Sequence, residues 1–212
     1  MINILLIDDH AIVRKGLKAI VEEEFGNITV YEANNGHDAL NQLQEISLDA
    51  VVLDINLPDM NGLEVLKRIR KDCSRLPILI LSVYSEDQYG VRMIRSGASG
   101  YLAKSSAPEH LVTALKKVIS GQRYISNELL EQLAFNLDKS PKDLSLESLS
   151  DREYQVFRML SSGKTVTEIA EELHLSVKTI STHRHHILDK MSMHNNADMV
   201  SYAQIKGMLE QP

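Results

Sequence analysis

The run VVLDINLPDMNG, Val51 to Gly62, decides how the chain is read. Ala50 to Leu53 is a short apolar strand that delivers one carboxylate, Asp54, at its end. A loop containing Pro58 and Gly62 follows, and then Leu63, Leu66 and Ile69 recur at helical spacing. The same unit repeats on both sides. Asn3 to Ile7, Thr29 to Tyr31, Ile78 to Leu81 and Gly100 to Leu102 read as further strands. Val13, Leu17, Ile20 and Val21 mark an early helix, and Leu111, Leu115, Val118 and Ile119 a late one. Five strands alternating with five helices imply right-handed crossovers and a mainly parallel sheet between helical layers.

Composition sets the frame around this unit. The chain has 212 residues, Lys+Arg 23 against Asp+Glu 29, a net charge of -6, 43% hydrophobic residues, one Cys and no Trp. That length suits two small modules, and the apolar and charged fractions are those of folded domains. Cys73 alone makes neither an internal disulfide nor a Cys-rich zinc site, which fits a reducing cytoplasm. The apolar stretch Ile4 to Ile7 meets Asp8 and Asp9 at once, too short for a signal core or a membrane span. The acidic total speaks against coating nucleic acid through bulk charge, but not against a local binding helix.

The polar residues of the first module gather at strand ends, where parallel sheets bind ligands. Asp8 and Asp9 follow the first strand, Asp54 the third, Ser82 the fourth and Lys104 the fifth. In the flavodoxin-like strand order 2-1-3-4-5 the three carboxylates converge. A lone Asp after a strand is ordinarily a cap or turn residue; their conjunction at several strand ends points to chemistry. Three carboxylates so close repel unless a cation neutralises them, and oxygen donors of this kind suit magnesium. A carboxylate also attacks phosphoryl groups, with Asp54 the central candidate. Magnesium, the Lys104 ammonium and the Ser82 hydroxyl would each take one phosphoryl oxygen.

IDDH at Asp8-Asp9, VVLDINLPDMNG around Asp54, ILILS ending at Ser82 and GASGYLAK ending at Lys104 together resemble the receiver domain of bacterial response regulators over about residues 1 to 120. The resemblance implies a (βα)5 flavodoxin-like α/β domain whose Asp54 accepts a phosphoryl group from a sensor histidine kinase. It implies magnesium bound by Asp9, Asp54 and the backbone carbonyl of Asn56, with Asp8 acting mainly through water. It makes Ser82 and Tyr101 a switch pair, in which the hydroxyl moves to the phosphoryl group and the aromatic ring turns inward. Kinase choice is expected on the first helix, near Ile12 to Lys18. Ser105 stands where many receivers carry Pro, so a cis peptide there is not carried over.

Beyond Gly121 a helix is expected at 127–136, with Leu130, Leu133 and Leu137 on one stripe. Asp138 to Glu147 has the composition of a linker, so residues 121–146 connect to a second domain at 147–212. From Leu149 onward the pattern is all helical. Ser150 with Glu153 and Thr165 with Glu168 fit capping boxes, and Gly163 stops the helix between them. Val166 to Leu173, the turn His174-Leu175-Ser176 and a helix from Val177 to about Met191 make a helix-turn-helix pattern. With Ile180 at zero, Val177, Ile187, Leu188 and Met191 fall within about 80° and form the inward face, where Arg184 must snorkel or pair locally. Lys178, Ser181, Thr182 and His185 lie opposite. From Leu149 to Pro212, seven basic residues face eight acidic ones, but Ser176 to Met191 alone carries +2 and three His.

Leu149, Arg152-Glu153, Gly163, Glu168-Ile169-Ala170, Leu173, Ser176-Val177-Lys178-Thr179 and His183 are similar to the LuxR-type effector of the NarL/FixJ class, over about residues 147 to 206. The resemblance implies an all-α, four-helix helix-turn-helix domain that binds double-stranded DNA. Ser181, Thr182 and His185 would read bases, while Lys178, Thr179 and His183 hold phosphate or order the helix end. A last helix at about Ala197 to Lys206 would pair two copies into a homodimer on DNA, with the receiver occluding the reading helix until phosphorylation. Such a regulator is not an enzyme beyond slow loss of its own acyl phosphate. Two alternatives stay open: a phosphate-responsive protein-interaction adaptor, and a magnesium phosphohydrolase, although Asn56 stands where such enzymes carry a second Asp.

Overall fold

The computed structural model describes residues 1–135, 146 and 148–208. The chain divides into two compact units, the first spanning Met1–Ala134. Its elements are β1 (Ile2–Ile7), α1 (Ala11–Phe25), β2 (Ile28–Ala33), α2 (Gly36–Glu45), β3 (Ala50–Asp54), α3 (Gly62–Asp72), β4 (Ile78–Ser82), α4 (Glu86–Arg95), β5 (Gly100–Ala103), α5 (Ala107–Ile119) and α6 (Asn127–Phe135). All five strands pair in parallel in the order β2-β1-β3-β4-β5. Strand order reverses beside β1, so the ends of β1 and β3 open a crevice at the carboxyl edge.

Every residue of β3 and of β4 is buried, because helices cover both faces of the sheet. On one face Ile4, Leu6, Val52, Leu79 and Leu81 pack with Leu17 and Val21 of α1 and Leu111, Leu115 and Val118 of α5. The strands run one or two residues past the apolar runs, so Asp54 and Ser82 are the last residues of β3 and β4. Neighbouring ladders still offer partners at those positions: Asp54 is in register with Leu81, and Ser82 with Ala103. Among the described residues no peptide is cis, Lys104–Ser105 included.

The first unit extends past residue 120. Tyr124 continues the sheet edge, its amide donating to the Ser99 carbonyl (3.1 Å) and its carbonyl accepting from the Tyr101 amide (2.9 Å). The Ser126 amide then donates to Glu86 Oε1 (3.1 Å) at the start of α4, which fixes how α6 lands. Leu129 is buried against Gly90, where a β-carbon would lie 2.8 Å from its Cδ2. The buried stripe is therefore rotated from the expected one: Leu130 is 49% exposed and Leu133 half-buried. Asn136, Leu137 and the linker stretch Asp138 to Glu147 lie outside the described residues, except Leu146.

The second unit contains α7 (Asp151–Ser161), α8 (Val166–Glu172), α9 (Val177–Met191) and α10 (Asn196–Ile205). Both capping boxes form, Ser150 with Glu153 and Thr165 with Glu168, and Asn195 with Asp198 makes a third. Gly163 leaves α7 at φ 93°, and His174 takes the left-handed turn between α8 and α9 at φ 51°. Phe157 of α7 is fully buried and meets Tyr202 of α10 edge to face, centroids 6.2 Å apart.

Candidate functional site

Asp8 stands just beyond β1, Asp54 ends β3, and Lys104 opens a single 3₁₀ turn (Lys104–Ser106) after β5. Lys104 Nζ lies 2.6 Å from Asp8 Oδ2 and 2.7 Å from Asp54 Oδ2, and both carboxylates are 2% exposed. Asp9 Oδ1 lies 2.7 Å from His10 Nδ1, and Asp8 Oδ1 accepts from the His10 amide at 2.8 Å. Asp8, Asp9, His10 and Asp54 each offer a ligand atom within 4.8 Å of the others. His10, which closes the IDDH motif, joins the cluster although only the two carboxylates of that motif were expected there.

Burial drives the Asp54 carboxyl up to about 6. The Lys104 ammonium works against that rise, the Asp8 charge adds to it, and the Asn56 amide donating to Oδ1 (3.2 Å) lowers it. Lys104 is itself held above its ordinary value: burial pulls it down, but Asp54 and Asp8 together outweigh that. One ammonium against three carboxylates leaves the pocket with a formal deficit of two positive charges. A hard divalent ion with oxygen donors fits that deficit.

The loop after Asp54 is shaped for close approach. The Gly62 amide donates to the Ile55 carbonyl at 2.8 Å, and a β-carbon on Gly62 would lie 2.3 Å from the Asp54 carbonyl oxygen. Asp59 ties the same loop to α2 by accepting the Gly36 and His37 amides, both at 2.8 Å. Those bonds hold its carboxyl below the usual range against the opposing pull of burial.

Ser82 and Tyr101 meet through one residue, Tyr84. Ser82 Oγ accepts the Tyr84 amide at 3.1 Å, and the Tyr101 hydroxyl donates to the Tyr84 carbonyl at 2.9 Å. The Tyr101 ring is 2% exposed, so it lies inward in this structure.

In the second unit α9 carries Lys178, Ser181, Thr182 and His185 as an exposed face, behind Ser176, whose side chain accepts from the Thr179 amide. Ile180, Ile187, Leu188 and Met191 are buried, whereas Val177 is 49% exposed because the capped first turn stands open with Ser176 and Lys178. The Thr179 hydroxyl lies 2.8 Å from Ser176 Oγ at the start of α9. His183 is half-buried; burial and the nearby Arg152 guanidinium lower its pKa. His185 Nε2 lies 3.4 Å from Asp189 Oδ2, and Arg184 Nε donates to Asn196 Oδ1 at 2.6 Å.

Residues 4–116 match the response regulator receiver domain, and residues 147–203 the luxR family of bacterial regulatory proteins. Over 98% of its length the chain is 35% identical to the response regulator UvrY of Escherichia coli K12, covering 96% of that protein. It is 32% identical to the response regulator GacA of Pseudomonas aeruginosa, covering 99% of each. Among solved structures it resembles a LuxR-family two-component response regulator from Aurantimonas sp. SI85-9A1, at 33% identity and TM-score 0.58 over 65% of this chain and 98% of that one. It also resembles RcsB of Salmonella enterica serovar Typhimurium bound to a promoter in the presence of the phosphomimetic BeF3-, at 25% identity and TM-score 0.63 over 95% of this chain and 97% of that one. The chain belongs to the response regulators of the NarL/FixJ class, with a receiver domain followed by a LuxR-type helix-turn-helix domain.

Proposed function

We propose that Asp54 accepts a phosphoryl group from a sensor histidine kinase with Mg2+ in the acidic pocket, and that this modification controls sequence-specific binding of α9 to double-stranded DNA. The observation that carries the reading is the contact of Lys104 with both Asp8 and Asp54 at the crevice beside β1. An Asp54 carboxylate oxygen forms the new bond to phosphorus as the donor's phosphorus–nitrogen bond breaks, and the kinase imidazole leaves with the electron pair. Asp8, Asp9, Asp54 and the Asn56 carbonyl would hold the magnesium, which supplies charge neutralisation to the phosphoryl oxygens. Lys104 neutralises a second oxygen and Ser82 donates to a third. Asn56 provides no acid or base two residues after Asp54, which favours a stoichiometric acceptor over a turning-over hydrolase.

The phosphoryl group adds roughly two negative charges. Ser82 turning toward it would shift Tyr84, and with it the hydroxyl bond of Tyr101. In the DNA-binding domain Ser181, Thr182 and His185 read base edges from the major groove, Lys178 takes a phosphate, and Thr179 and His183 support the helix. Ile205 of α10 is 83% exposed, and two such helices pairing would set two α9 helices on an inverted half-site pair. Binding to chromosomal DNA would take place in the cytoplasm. No helix among the described residues is long and apolar enough to cross a membrane.

Incubation of the full chain with Mg2+ and acetyl phosphate, read by intact mass, tests the acceptor. The wild type gains one phosphoryl group and Asp54→Asn gains none; equal uptake by both contradicts the assignment.

A further inference from the structure

β2 ends at Ala33, whose carbonyl accepts the Asp8 amide at 3.2 Å. The next carbonyl of the first chain segment, that of Asp8, has run past its neighbouring strand, and no described backbone amide donates to it. Arg14, in the first turns of α1, fills that place: its Nη1 donates to the Asp8 carbonyl at 2.5 Å. On the other side its Nε faces Glu32 Oε2 on β2 at 3.4 Å, and Glu32 is in turn 3.3 Å from Lys18 Nζ. The Arg14 side chain is only 14% exposed, so the guanidinium is enclosed between the strand end and the helix.

We infer that Arg14 is a positioning residue of the phosphoryl pocket, holding the Asp8–Asp9 peptide so that both carboxylates face Asp54. The carbonyl it holds belongs to the peptide that joins Asp8 to Asp9. A peptide is planar, so fixing its oxygen fixes the Asp9 nitrogen and Cα, the point from which the Asp9 side chain leaves the backbone. The Asp8 side chain is fixed separately, by its Oδ1 accepting the His10 amide. Arg14 spends its charge on a carbonyl and on Glu32, so the pocket carboxylates keep their oxygens for a cation. A planar fork serves this double contact better than an ammonium. The inference rests on the acceptor reading of Asp54 given above, and it concerns a residue inside the Ile12 to Lys18 stretch expected to choose the kinase.

The test uses the full chain as wild type, Arg14→Ala, Arg14→Lys and Glu32→Gln. Mg2+ affinity is measured by calorimetry, the rate of phosphorylation by acetyl phosphate as a function of Mg2+, and thermal unfolding without magnesium. A small donor needs no docking surface, so a residue that merely meets the kinase leaves this rate unchanged. We expect Arg14→Ala to weaken Mg2+ binding by roughly 10- to 100-fold, the range for groups that orient metal ligands. Its phosphorylation rate recovers toward the wild-type value at high Mg2+, and Arg14→Lys and Glu32→Gln fall between the two. Wild-type Mg2+ affinity in a folded Arg14→Ala overturns the inference; if that variant does not fold, unchanged affinity in both Arg14→Lys and Glu32→Gln overturns it equally. A wild-type chain that neither binds Mg2+ nor takes up phosphoryl sinks the acceptor reading itself, and the Arg14 role with it.

Discussion

The Tyr101 hydroxyl donates to the Tyr84 carbonyl at 2.9 Å, on the far side of a residue whose amide already donates to Ser82 Oγ. A shift of Ser82 would therefore reach Tyr101 through one residue. Tyr101→Phe keeps the buried ring and removes the hydroxyl that donates to the Tyr84 carbonyl and, at 3.4 Å, faces the Ser85 carbonyl, at a stability cost of about 1 kcal/mol. Urea unfolding measures the cost, and acetyl phosphate uptake at Asp54 is expected to stay normal. The gain in DNA affinity on phosphorylation should shrink; a Phe variant that responds as fully as wild type contradicts the relay.

Gly62 is set by contact with backbone. Its missing β-carbon would meet the Asp54 carbonyl oxygen at 2.3 Å and Ile55 Cα at 2.7 Å, and neither atom can rotate away. Gly62→Ala is expected to destabilise the receiver by about 1–3 kcal/mol, as overpacking of a close contact does. It should also slow phosphoryl uptake, because the strand end carrying Asp54 has to move. Gly16→Ala is the control, since a β-carbon there meets nothing within 4 Å.

Glu153 supplies a pH-dependent contribution in the DNA-binding domain. Its carboxylate, 5% exposed, accepts the Ser150 amide and Lys190 Nζ, both at 2.7 Å. Burial raises its pKa, but the bonds from Lys190 and Ser150 outweigh that and hold it below the ordinary Glu value. The folded pKa lies below the unfolded one, so this stability is complete above the unfolded value and is lost as pH falls through the folded one. Glu153→Gln should cost about 1 kcal/mol at neutral pH, a low figure because Lys190 is 41% exposed and regains water. Thermal unfolding followed on the Tyr202 ring by NMR should show the difference near pH 7 and its disappearance in acid; a constant difference over that range contradicts the pairing.

The strand–helix alternation was legible because parallel strands buried on both faces leave unbroken apolar runs, as in Ala50 to Leu53. The strand ends were less so, since Asp54 and Ser82 are polar residues that a neighbouring ladder draws into the sheet. Periodicity favours Leu130 on the stripe of α6, but the buried residue is Leu129, beside the Glu86–Ser126 bond, a tertiary contact that fixes how the helix lands. Asp8, Asp54 and Lys104 are in contact as their strand-end positions imply. His10 and Arg14 were invisible as members of that cluster, because one acts beside the carboxylate pair and the other through a backbone carbonyl. On α9 the buried face followed from spacing except at Val177, where the first turn has no neighbour to cover it.

The central claim is that phosphorylation of Asp54 controls DNA binding. The most direct measurement is the affinity of the full chain for duplexes selected from random sequence, at fixed salt, with and without Mg2+ and acetyl phosphate. The wild type should bind more tightly when phosphorylated by roughly 5- to 150-fold, the usual span of coupling between two sites, while Asp54→Asn stays at the unphosphorylated level. Equal affinity of wild type with and without the donor, at full occupancy of Asp54, would contradict the account.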